Sequence, residues 1–465
     1  MANNTKTGQG AGNGNLIAII AMFFLFAMIS FVTNLAAPIG TIWGYQYEGN
    51  STLGMLGNMM NFLAYLFMGI PAGNLLLKIG YKKTALWAMA VGAIGLFVQW
   101  ISSQCGAETE ILHTGSYTVN LNFFIYLLGA FICGFCVCML NTVVNPMLNL
   151  LGGGGNKGNQ LIQAGGALNS LSGTLTPLFV GVLIGELSKS TTMSAVEPLL
   201  WIAIGVFVAS FIVISFVSIP EPNLRKGGAK APKYSHSPWN FRHTVLGVIG
   251  IFIYVGIEIG IPGTLNFYLS DQSADGAGVI GAASAIAGAI VAIYWLLMLI
   301  GRTLSSFISG AVSAKTQLIV VSTTAILLVI GAIVTPSSAT LPVPAFIYSA
   351  VDEATGEIIT ASVPVSAYLL ILCGLCTSVM WGGIFNLAVE GLGKYTAQAS
   401  GIFMMMVVGG GVIPLVQQVI AKSAGYMASY WLIVACLGYL LFYGLVGSKN
   451  VNTDIPVDDK VEDAL

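Results

Sequence analysis

Twelve long apolar runs divide the chain, near residues 16 to 43, 53 to 77, 84 to 102, 121 to 151, 160 to 186, 197 to 219, 244 to 270, 277 to 300, 316 to 335, 363 to 388, 396 to 422 and 427 to 446. A bilayer span needs about 20 mostly apolar residues, so each run predicts one transmembrane element. Helices are expected, because a membrane barrel would show strict period-two alternation and these runs do not. The pattern predicts an all-α polytopic membrane protein with twelve transmembrane helices in two six-helix halves. The polar stretches set its organisation: a flexible cytoplasmic N-terminus over 1–15, an N-terminal half over 16–219, a cytoplasmic linker over 220–243, a C-terminal half over 244–446 and a cytoplasmic tail over 447–465. The first apolar run is too long for a secretory signal and lacks a small-residue cleavage site, so it is read as retained.

Composition agrees. Of 465 residues, 56% are hydrophobic and 8% charged, whereas a soluble domain carries about a quarter charged residues. The charges are sorted by loop. With both termini inside, fifteen of the 17 lysines and arginines fall on the cytoplasmic side, Arg302 among them, and only Lys189 and Lys422 fall outside. This bias supports twelve spans independently of hydropathy and predicts a multi-pass protein of the cell membrane, in bacteria the inner one. The lipid bilayer is then the obligatory surrounding, a monomer is expected, and nothing calls for a nucleic-acid partner. Seven cysteines without paired spacing in exposed loops give no sign of a disulfide framework. His113, His236 and His243 are read as loop residues, so no metal site is expected in the spans.

The halves repeat weakly. "CGFC" at 133–136 in span four answers "CGLC" at 373–376 in span ten, and "GTLTPL" at 173–178 answers "GGVIPL" at 410–415. Asn34 precedes Pro38 by four residues, as Glu258 precedes Pro262. Together these point to a duplicated six-helix unit with parallel repeats, the layout of major facilitator transporters, whose substrate site lies at the midplane.

Polar side chains inside the runs mark the candidate site. An amide in hydrocarbon without a partner costs roughly 2 to 7 kcal/mol, so such groups should face a watery cavity or one another. Asn141 and Asn145 share one helix face, and Glu258 and Asn266 lie two turns apart on span seven. Asn34, Gln163, Asn169, Tyr294, Trp295, Trp381, Asn386 and Gln417 add amides and aromatics in other spans. Amides and a carboxylate pair with hydroxyls, and tryptophan offers a flat apolar face to a sugar ring, so the set suits a neutral polyhydroxylated ligand. Asn and Gln also bond helices together, and that reading stays open for each amide. Glu258 differs, because a charge at the bilayer centre costs about 2.5 to 3.5 kcal/mol even on lenient scales. Accepting hydrogen bonds from substrate and carrying a coupling cation are both open for it.

These residues resemble a known family. "GNLLLKIGYKK" at 73–83 resembles the major facilitator signature loop, with Leu77 where many members have aspartate. The resemblance implies gating roles for Gly73, Lys78, Gly80, Lys82 and Lys83, with Arg302 at the corresponding end of span eight. "YVGIEIGIPGTLNFYL" (254–269), "YWLLMLIGR" (294–302) and "IFNLAVEGLGKYTAQASGIFMMMVVGGGVIPL" (384–415) resemble the fucose, galactose and glucose symporter family within that superfamily. Membership implies a secondary transporter for a monosaccharide, hexose or deoxyhexose, working by alternating access. In the fucose branch an aspartate and a glutamate stand where this chain has Asn34 and Asn141. An amide cannot take up a proton, so the proton route implied by the resemblance is missing at both places. The span-five glutamine of the family also aligns with Gly166.

The expectation is therefore a sugar transporter coupled to sodium or protons through Glu258. An uncoupled uniporter is the alternative, and a non-transporting membrane sensor a remote one. No enzyme is expected, since the spans offer no nucleophile, base or metal cluster, and no cofactor beyond the coupling cation.

Overall fold

A computed structural model describes residues 8–47, 51–114, 117–184, 191–221, 235–271, 275–279, 283–344, 350–351, 358–359 and 361–457. Lys6, Lys189, most of the linker and the last eight residues of the tail lie outside the described residues.

The apolar runs fold as helices: α1 (Gly8–Gln46), α2 (Ser51–Gln104), α3 (Leu121–Leu151), α4 (Gly155–Ile184), α5 (Glu197–Phe216), α6 (Arg242–Ser270), α7 (Ala283–Ile308), α8 (Ala314–Val334), α9 (Val365–Thr377), α10 (Met380–Val389), α11 (Thr396–Met405), α12 (Gly409–Ala424) and α13 (Tyr426–Phe442). Among the described residues ten stretches are long and apolar enough to cross a membrane. One of them, Leu56–Gln104, is 49 residues long and holds two spans. With α4 added, the architecture is consistent with the expected twelve. Spans ten and eleven are each interrupted, as α9 with α10 and α11 with α12.

The loop expected between spans two and three is reduced to a corner. Gly80 alone leaves helical geometry, at φ 87 and ψ 175, a region that an L side chain enters only with strain. Gly73 and Lys78 lie in the helix before the corner, and Lys82 and Lys83 in the helix after it. Restarting a helix exposes backbone N–H groups, and Glu221 covers them: its carboxylate accepts from the Tyr81 N–H at 2.6 Å and the Lys82 N–H at 2.8 Å. The Lys82 ammonium in turn donates to the Ser215 carbonyl at 2.6 Å.

Short antiparallel ribbons close the long loops. β1 (Glu110–Thr114) pairs with β2 (Tyr117–Asn120), β3 (Thr340–Pro342) pairs with the later β6 (Ser362–Pro364), and β4 (Ala350–Val351) pairs with β5 (Ile358–Ile359). They are too short to register as alternation in a sequence dominated by apolar runs. His243 is also relocated: it occupies the first turn of α6 and is fully buried, where a loop had been expected.

The chain forms two compact units. The first comprises 1–241 with 389–408 and 452–465, and the second 242–388 with 409–451. In the first unit α11 packs directly on α2, where the missing side chains of Gly69 and Gly401 let the two backbones touch. In the second unit, α6 is covered by α7, α9, α12 and α13.

Candidate functional site

In the first unit the polar centre is built on α3. Asn141 is buried, 8% exposed, and its amide donates to the Tyr65 hydroxyl at 2.9 Å, joining α3 to α2. Asn145, one turn on and fully buried, donates from its side chain to the Asn141 carbonyl at 2.9 Å and lies 3.4 Å from the Asn141 Oδ1. Pro146 follows, and a proline inside a helix removes one backbone donor. The Asn145 side-chain bond falls one residue before the Thr142 carbonyl, the acceptor that this proline leaves without its i+4 donor.

The other amides of this unit do different work. Asn34 on α1 is half-buried and turns back on its own helix, donating to the Ser30 carbonyl at 2.8 Å and the Ser30 Oγ at 3.1 Å. Asn169 on α4 donates to the Phe26 carbonyl of α1 at 3.0 Å, and Ser172 donates to the neighbouring Ala27 carbonyl at 2.9 Å. These two bonds stitch α4 to α1, which is the packing role open to any intramembrane amide. Gln163 is buried on α4, one turn after Asn159. Both polar side-chain atoms of Asn159 are buried with no hydrogen-bond partner among the described residues.

In the second unit the centre is an ion pair. Arg302 on α7 is buried, 8% exposed. Its Nη2 lies 3.0 Å from Oε1 of Glu258, whose side chain is 15% exposed. The same Nη2 approaches the Tyr254 hydroxyl at 3.5 Å, and Nε donates to the Ser378 carbonyl at 3.3 Å. A carboxylate and a guanidinium can both leave water only together, since deleting either partner of a buried pair costs about 3 to 5 kcal/mol.

Backbone packing delivers Arg302 to this point. A side chain at Gly301 would collide with Ser378, and one at Gly374 with the Tyr294 carbonyl. The absence of both side chains lets α7 close on α9 until the Arg302 stem faces the end of α9. Aromatic groups complete the cluster. The ring of Trp381, at the start of α10, lies 6.1 Å from that of Tyr254 at 54°. On α7 the Tyr294 hydroxyl hydrogen-bonds Thr377 Oγ1 at 2.9 Å, and its ring meets Trp295 at 90° and 5.5 Å.

The remaining candidates surround this cluster less directly. Asn266 is half-buried two turns beyond Glu258, and Asn386 is buried on α10. Gln417 on α12 is fully buried against Gly260, and neither atom of its amide has a hydrogen-bond partner among the described residues. Gln418 beside it donates to Thr264 Oγ1 at 3.0 Å.

The structure thus brings Glu258 and Trp381 into one cluster and Asn141 and Asn145 into another, while Asn34 and Asn169 bond elsewhere. It corrects the placement of Arg302. Expected just past the end of span eight, Arg302 lies inside α7 and pairs with Glu258. Counting it among the loop cations hid it, although an isolated intramembrane carboxylate calls for a partner of this kind. Tyr65, Tyr254 and Ser378 were also missed, the tyrosines because they read as belt or core residues and Ser378 because it contributes a backbone carbonyl.

Comparison with known proteins agrees with this architecture. The chain is 29% identical over 453 residues to the glucose/galactose transporter of Brucella abortus, covering 96% of this chain and 97% of that one. It is 22% identical over 463 residues to the L-fucose-proton symporter of Escherichia coli, covering 93% and 92%. A crystal structure of the Escherichia coli fucose:proton symporter superposes with a TM-score of 0.69 at 17% identity, covering 92% of this chain and 98% of that one, a likeness of fold. The resemblance to the fucose, galactose and glucose symporters read from "YVGIEIGIPGTLNFYL" and the span-ten segment therefore holds. Residues 18–415 match the Major Facilitator Superfamily as a whole, and the chain belongs to that superfamily of membrane transporters.

Proposed function

We propose that the protein carries a neutral monosaccharide, a hexose or deoxyhexose, across the cell membrane by alternating access, with a cation coupled through Glu258. The observation that carries this reading is the cluster of Glu258, Arg302, Tyr254 and Trp381: a charge-balanced pair with hydrogen-bonding capacity beside an aromatic face. Sugar hydroxyls both donate and accept, so they can satisfy a carboxylate and a guanidinium without adding charge. The names of the relatives, glucose/galactose transporter and L-fucose-proton symporter, support the same substrate class.

The pair's energetics support coupling through Glu258. The carboxylate can part from Arg302 only if another cation takes that place, because a buried unpaired charge costs about 3 to 5 kcal/mol. A proton or a sodium ion serves equally in that role. A second reading, uncoupled uniport, is favoured by a specific observation: Arg302 already supplies the positive partner of Glu258, and amides occupy positions 34 and 141. The distribution of lysine and arginine supports cytoplasmic termini, and the bacterial origin of the relatives supports placement in a bacterial inner membrane. The carrier acts as a monomer.

Uptake of glucose, galactose and L-fucose into proteoliposomes tests both readings. Accumulation above equilibrium under an imposed sodium or proton gradient supports coupling, and equal uptake with and without both gradients establishes uniport. No uptake of these or of a wider panel of hexoses, deoxyhexoses and amino sugars overturns the sugar reading.

A further inference from the structure

We infer that Arg302 is a positioning residue for substrate, holding the Glu258 carboxylate in place and itself anchored to the carbonyl at the break between α9 and α10. The inference rests on the proposal that Glu258 contacts the sugar.

Three observations converge on it. The guanidinium engages two elements at once, Glu258 and Tyr254 on α6 and the Ser378 carbonyl just beyond α9. A planar fork with five N–H donors can serve several partners in fixed directions, which a point charge on a flexible stem cannot. Next, α9 ends at Thr377 and α10 begins at Met380, so Ser378 lies in an interruption of span ten. Carbonyls at a helix end lack intrahelical donors, and Arg302 Nε supplies one to Ser378. Third, the close packing of Gly301 and Gly374 fixes the Arg302 stem against α9, so the guanidinium has a rigid base.

The consequence is geometric. Arg302 holds Oε1 of Glu258 at 3.0 Å, which restricts where the carboxylate can sit and hence the directions in which substrate hydroxyls can be accepted. Trp381 lies three residues after the anchored carbonyl, in the first turn of α10, and stands against Tyr254. The same clasp therefore sets the spacing between the carboxylate and the aromatic face. A charge-conserving lysine would keep the pair neutral, yet it could not hold Glu258 and Ser378 together.

A double-mutant comparison tests this, using uptake of glucose, galactose and L-fucose by the full-length protein in proteoliposomes. If Arg302 acts through Glu258, Arg302→Lys raises the KM of the best-transported sugar about tenfold, with a smaller effect on maximal rate. In a Glu258→Gln background the same substitution then changes KM by less than about twofold. An equal rise in both backgrounds, or an unchanged KM in the Arg302→Lys protein alone, overturns the inference. Glu258→Gln with an unaltered KM removes the role of Glu258 in sugar contact and the inference with it, whereas an impaired Glu258→Gln protein with additive Arg302→Lys sinks the inference alone. Should Arg302→Lys fail to reach the membrane, the charge-free Arg302→Gln/Glu258→Gln protein, compared with Glu258→Gln, replaces it. A KM within about twofold supports positioning, and a larger difference overturns it.

Discussion

Arg302 and Glu258 lie 3.0 Å apart on neighbouring helices, and each is the other's charged partner inside a chain with few charges to spare. Removing one member leaves the other buried and uncompensated, while removing both leaves nothing to compensate. Arg302→Ala is therefore expected to lower folding stability by about 3 to 5 kcal/mol, and Arg302→Gln/Glu258→Gln to recover most of that loss. Thermal melting of the purified single and double variants in one detergent measures it. A double variant no more stable than Arg302→Ala would contradict the pairing.

The bond between Asn141 and Tyr65 makes a smaller, neutral counterpart in the first unit. Tyr65→Phe removes the acceptor of the Asn141 amide and leaves a buried donor without it, which costs about 1 to 3 kcal/mol. Asn141→Leu combined with Tyr65→Phe removes both polar groups and is expected to cost less than the sum of the single changes. Additive losses in the melting of the four proteins would show that the two side chains do not depend on each other.

What was legible in the sequence follows from the kind of signal each feature leaves. Apolar runs of bilayer length mark the helices from α1 to α13, because lipid imposes length and composition together. Glu258 was legible for the same reason, as a charge in the wrong solvent. Arg302 was not: it stands two residues beyond an apolar run, and the positive-inside count absorbed it. The interruption at Ser378 left no proline, only "SVMWGG" inside a hydrophobic stretch, so span ten read as continuous. The amides were visible as a set but not as individuals, since Asn141 facing Tyr65 and Asn169 facing the Phe26 backbone have the same local sequence cost. Partner identity is a tertiary fact that spacing along one helix does not contain.

At the Gly80 corner the carboxylate of Glu221 does the work of a helix cap from 140 residues away in sequence. Glu221→Ala leaves the Tyr81 and Lys82 N–H groups without their acceptor and removes a negative charge from a helix N-terminus. A loss of about 1 to 2 kcal/mol is expected. Glu221→Gln, which keeps an acceptor oxygen, is expected to lose less. Hydrogen exchange at the Tyr81 and Lys82 amides reads the effect directly. Unchanged exchange in Glu221→Ala would show that the cap contributes nothing in the membrane.

The tail makes a comparable clasp on the turn that precedes α11. The Lys394 N–H donates to the Val457 carbonyl at 3.3 Å, and the Tyr395 hydroxyl reaches the Pro456 carbonyl at 3.5 Å. The Tyr395 ring is fully buried and lies 5.6 Å from that of Phe241. Both tail bonds are long, so their net worth is at the low end of the usual range, about 0.5 kcal/mol each. Deleting 452–465 is accordingly expected to leave the melting temperature nearly unchanged while speeding hydrogen exchange at the Lys394 amide about fivefold, the factor that the two bonds together supply. Tyr395→Phe removes one of them and should speed that exchange by about half as much on a logarithmic scale. If the truncated protein exchanges Lys394 at the full-length rate, the tail does not clasp the turn in the membrane.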